Sequence, residues 1–176
     1  MKGGPIALKP IMSRILRLAD ALNRDDRQSL RLNIAIPVTL GLILNGLGIW
    51  LARNDPLDAA PWFAPPGWVS AIVWLCLLAL LGAARWTLNS YTIIGVLMAR
   101  TAVTLLLVAC LVWPLYTLAA VNLSIQMIAN GLTLLMAVAA ILIVRQRSVE
   151  AASLIMPTIV WLAFTTLIAA TALTQA

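Results

Sequence analysis

The stretch Trp62 to Trp86, WFAPPGWVSAIVWLCLLALLGAARW, opens on an aromatic pair and two prolines, then runs without a charge from Gly67 to Ala84. A helix rises 1.5 Å per residue, so about twenty apolar residues cross the hydrocarbon layer of a membrane. Pro65 and Pro66 suit the start of such a helix, where a missing N–H costs nothing. Trp68 and Trp86 are about five turns, or about 27 Å, apart and share a helix face at opposite membrane boundaries, as an aromatic belt requires. Trp74 differs, being about 9 Å deeper than Trp68 and turned about 120° to another face.

The rest of the chain repeats this apolar pattern. Of its 176 residues 62% are hydrophobic and 10% charged, which excludes a soluble domain. Runs near 33–52, 67–88, 93–116, 121–143 and 151–173 are each long enough to span, so an all-α integral membrane protein with a five-transmembrane-helix bundle is expected. Residues 1–32 form a basic N-terminal segment and 33–174 the membrane domain. The first long apolar run lacks a small-residue cleavage site, so no removable signal peptide is expected.

Seven of the 12 basic residues, Lys2, Lys9, Arg14, Arg17, Arg24, Arg27 and Arg31, precede the first span. The 53–66 loop holds only Arg53, the second connection follows Arg85, the fourth holds Arg145 and Arg147, and the third connection and the tail hold none. Positive charge therefore alternates between sides, which supports five spans with a cytoplasmic N-terminus and a C-terminus on the opposite side of a bacterial inner membrane. Arg100 fits less well, and snorkelling to the boundary is favoured over an intramembrane role. The segment PIMSRILRLADALNRDDRQSLRL sets Ile11, Ile15, Leu18 and Leu22 at helical spacing with Arg14, Arg17, Asp20 and Arg24 on other faces. It reads as a basic amphipathic helix on the cytoplasmic surface among anionic lipid head groups, with docking to a protein partner as the alternative. The bilayer, and not nucleic acid, is the expected partner.

Histidine is absent, and the acids Asp20, Asp25, Asp26, Asp55, Asp58 and Glu150 all lie outside the strongest apolar runs. No metal site, catalytic acid or base, or carboxylate proton relay is expected, and no cofactor is required. Cys76 and Cys110 read as small buried hydrophobes. For binding, Trp74 and Trp161 are internal aromatics that either wall a ligand or fill gaps between helices. Pro157 removes the hydrogen bond to the Ser153 carbonyl, so a kink is expected to open space beside Trp161. Close packing is expected at Gly41, Gly46 and Gly48 and at Ala137, Ala139 and Ala140, and interhelical bonds or ligand contacts at Asn45, Gln126 and Asn130.

RNDP (Arg53 to Pro56), the APPGWV element within WFAPPGWVSAIVW, WPLY (Trp113 to Tyr116) and PTIVWLAF (Pro157 to Phe164), in that order, resemble the TspO/translocator protein family of tryptophan-rich sensory proteins from about residue 33 to 174. The resemblance implies a five-helix bundle, often dimeric, that binds tetrapyrroles, sterols or lipid-like molecules in a pocket beside the loop between the first two spans. It carries ligand contact onto Phe63, Trp68, Trp74, Trp161 and Phe164. Leu75, Cys76, Ala109, Thr158 and Ala169 depart from the polar or aromatic residues usual in the family. Two functions are thus expected: a receptor or carrier of a bound tetrapyrrole or lipid, or a non-enzymatic accessory subunit of a larger membrane or pigment-protein complex.

Overall fold

A computed structural model describes residues 8–51, 61–92, 94–117 and 123–175, which among themselves form helices and no strand. In chain order these are α1 (Leu8–Leu22), α2 (Arg27–Leu51), α3 (Gly67–Thr87) with a 3-10 turn at Leu88–Ser90, α4 (Val96–Thr117), α5 (Leu123–Arg145) and α6 (Val149–Gln175). Five of them, α2 to α6, are long and apolar enough to cross a membrane. Gly48 and most of the loop after α2, RNDP included, lie outside the described residues and side chains.

The second helix begins at Arg27, earlier than the apolar run does, and the N-terminal segment is therefore two helices and not one. The break has a local cause. The backbone N–H of Ser29 donates to the Asp26 carboxylate at 2.6 Å, and that of Leu30 to the Asp26 carbonyl at 3.1 Å. Asp26 is thus an N-cap that starts α2 while Asn23 to Asp26 turn the chain.

Helix contacts close a ring. α2 packs on α3, α3 on α6, α6 on α5, α5 on α4 and α4 back on α2, while α3 and α4 also meet across the centre. The core lies on their inner faces, where Leu78, Leu81, Val103, Leu106, Val144, Ile155 and Leu162 are completely buried. Large apolar side chains such as Leu135, Leu142 and Val160 point outward instead, the arrangement a lipid solvent allows.

Lipid tails are as apolar as leucine, so helices in a membrane are held by close contact and not by hydrophobic drive. The tightest approach is at Gly82, where an added Cβ would run into the backbone carbonyl of Asn33. Sequence reading did not select this glycine. Gly41 packs against Leu78, and Ala137 and Ala140 are buried, whereas Gly46 has nothing within 4 Å of its Cβ position and Ala139 is exposed.

At the end of the bundle where α3 finishes, Arg85 serves as a polar hub. Its guanidinium donates to Asn33 Oδ1 at 2.6 Å, Asn23 Oδ1 at 2.9 Å, Thr104 Oγ1 at 3.1 Å and the Leu22 carbonyl at 3.2 Å. One side chain thereby ties α1, α2 and α4 to α3. Arg100 lies one turn into α4 at the same end, half-buried, with a long bond to Asn89 at 3.5 Å.

Candidate functional site

α6 passes α3 beside a groove of about 680 Å³ whose walls include Val73 and Leu77 on one side and Met156, Pro157, Trp161 and Phe164 on the other. Pro157 has no N–H for the Ser153 carbonyl, and both residues line the groove. Ser153 is the one hydroxyl-bearing residue of that wall, and its proton already goes to the Glu150 carbonyl at 2.7 Å. The surface is otherwise apolar.

Aromatic rings continue out of the groove in a line. Trp161 and Phe164 have centroids 5.7 Å apart, Phe164 and Phe63 6.4 Å, and Phe63 and Trp62 5.8 Å. Trp62 is 95% exposed at the far end. The turn before Pro65 thus brings Phe63 onto α6, so three of the five residues expected to contact a ligand, Phe63, Trp161 and Phe164, stand together.

The other two stand elsewhere. Trp68 is 69% exposed at the first turn of α3, and Trp50, at the same end of the bundle, also faces outward. Trp74 is buried on a neighbouring face of α3, outside the lining of the groove, and stacks on Trp113 with centroids 4.7 Å apart. Trp113 stands near the end of its span, at the depth of a boundary tryptophan, yet its ring turns into the bundle. Its indole N–H donates to Asn130 Oδ1, and Asn130 Nδ2 donates to Thr165 Oγ1 at 3.5 Å, joining α4, α5 and α6. A signal for this was present in the spacing: Val103, Leu106, Cys110 and Trp113 recur at intervals of three and four on one helix face.

Two donors near this stack have no acceptor, Trp74 Nε1 and Asn45 Nδ2. They are level with each other. α2 and α3 are antiparallel with Gly41 against Leu78, so four residues onward Asn45 faces the turn four residues back, at Trp74. Unpaired donors in an apolar interior are costly, and the pair would donate to a carbonyl, a carboxylate or a water. Thr158 Oγ1, completely buried beside Pro157, is likewise without a partner.

No group of three or more His, Cys, Asp or Glu occurs among the described residues. The groove offers an apolar, aromatic stacking surface, and the two unpaired donors lie outside its lining, beside the Trp74–Trp113 stack.

Five membrane-spanning helices closed in this order, with an aromatic groove at one seam, define a multi-pass helical membrane protein. The chain belongs to the TspO/MBR family, whose model matches residues 33–174. The match covers nearly all of the five spans and leaves α1 outside. A comparison with curated proteins found no match.

Proposed function

We propose that the protein is a receptor or carrier for a flat apolar ligand, in first place a tetrapyrrole and otherwise a sterol or other lipid-like molecule, held in the α3/α6 groove. It performs no chemistry of its own. The observation that carries this reading is the line of rings Trp161, Phe164 and Phe63 along a groove of about 680 Å³, a volume within the range of small-molecule sites. Each aromatic contact contributes about 0.5–1.5 kcal/mol beyond burial, so stacking dominates affinity. Trp74 Nε1 and Asn45 Nδ2 would orient a polar substituent of a ligand that reaches past α3. The Arg85 end of the bundle faces the cytoplasm of a bacterium, and Phe63 lies at the other side.

Protoporphyrin titrated into the detergent-purified protein, read by the porphyrin's own absorbance shift, tests the assignment. Trp161→Leu and Phe164→Leu should each weaken binding about three- to tenfold, the equivalent of losing one such contact. Trp68→Leu should bind as the parent does. Equal affinity in Trp161→Leu and the parent would remove the groove from consideration.

A second reading draws on a different seam. Ala109, Val112, Ile128, Ala129 and Leu132 form an apolar trough of about 430 Å³ between α4 and α5, and its small residues would let another helix approach. This would suit a homodimer or an accessory subunit of a larger complex. Purification in mild detergent without crosslinker decides, since a subunit co-migrates with a stoichiometric partner and loses it in Ala129→Trp.

A further inference from the structure

The bundle leaves α1 uncovered. Every residue from Ile11 to Asp20 is exposed, including Ile11 and Ile15 at 56%, Leu16 at 62% and Leu18 at 47%. At about 100° per residue, the apolar side chains of α1 span an arc of about 160°. Arg14 and Asp20 flank that arc, each about 40° beyond an edge, and Arg17 lies opposite its centre. An apolar stripe this wide on a polar helix marks a surface that something covers.

Two features of the attachment indicate what does. α1 is fastened at its last residue, where the Leu22 carbonyl accepts from Asn33 Nδ2 and Asn89 Nδ2, both at 2.9 Å, and from Arg85. The following turn is held at a known level, because Trp86 Nε1 donates to the Asp26 carbonyl at 3.1 Å. Trp86 lies near the end of the span Gly67–Ser90, where a tryptophan occupies the membrane–water boundary. α1 therefore leaves the bundle at head-group depth. Its own charges are Lys9, Arg14 and Arg17 against Asp20, a positive balance that suits a negative surface.

We infer that α1 lies in the head-group layer of an anionic leaflet, with Ile11, Ile15 and Leu18 among the acyl chains and Arg14 on lipid phosphates. The Arg85 hub sets the depth at which the helix enters that layer. This reading does not depend on the groove ligand.

The full chain, with Cys76→Ser and Cys110→Ala, receives a single cysteine by Ile15→Cys, Leu18→Cys or Arg17→Cys and a polarity-sensitive dye. It is then placed in nanodiscs of phosphatidylcholine with or without phosphatidylglycerol. Lipids carrying a nitroxide on the acyl chain should quench the dye at positions 15 and 18 several-fold more than at 17, and more strongly in the anionic discs. Equal quenching on both faces overturns the inference. So does an unquenched dye at position 15, which is what cover by a protein partner or a second copy would give. Identical results in neutral and anionic discs overturn the assignment of anionic lipid.

Discussion

Gly82 stands where two helix backbones touch, and its worth is best seen beside Gly46, which touches nothing within 4 Å. A side chain at 82 must displace the Asn33 carbonyl and with it the Asn33 side chain that bonds Arg85. Gly82→Val is expected to lower the thermal midpoint in detergent by the equivalent of about 1–3 kcal/mol, the usual cost of overpacking. Gly46→Ala should stay within about 0.5 kcal/mol of the parent, as surface changes do. Equal midpoints for the two variants would show that the α2/α3 seam gives way at no cost. The same contrast explains which residues could be read in advance. Rotation about α3 separates Trp74 from Trp68, so the burial of Trp74 follows from spacing alone. Trp113 stands at the depth of a boundary residue, and depth says nothing of the face. Gly82 escaped because the atom it accommodates belongs to another helix.

The spans themselves were legible because length and apolarity are enough to define them in a bilayer. Their ends were not, since a helix continues into the polar layer until a cap stops it, and Asp26 rather than the first apolar residue begins α2. The groove was half legible. Pro157 announces a missing hydrogen bond, but only the ring order of the helices shows that α3 supplies the facing wall. Arg85 was counted as a boundary charge, whereas four bonds make it the joint between α1 and the bundle. Arg85→Met should free that joint. Trypsin should then cut after Arg24 or Arg27 several-fold faster than in the parent, while the midpoint of the five-span bundle moves little. An unchanged cleavage rate would mean that α1 is held by other contacts.

At the scale of the molecule, five spans among the described residues put α1 and the end of α6 on opposite sides of the membrane, and the distribution of charge is the ground for proposing which side is which. One end gathers Arg85, Arg100, Arg145 and Arg147 beside the basic N-terminal segment. The other carries Arg53 against Asp55 and Asp58, a local balance of −1. Lysines and arginines in short connections resist translocation, and the first span follows the seven basic residues before it. A reporter fused to the C-terminus should therefore work only if it is active outside the cytoplasm, and one fused to the N-terminus only if it is active inside. The outcome bears on both proposed surfaces at once. Phe63 and the rings behind it belong to the end of the α3/α6 seam away from Arg85, so in the proposed orientation the ligand would reach the groove from the outer side or outer leaflet. α1 belongs to the basic end and would meet the anionic inner leaflet. A C-terminal reporter active in the cytoplasm would exchange the two, leaving the positively charged helix on the side from which basic residues are normally excluded.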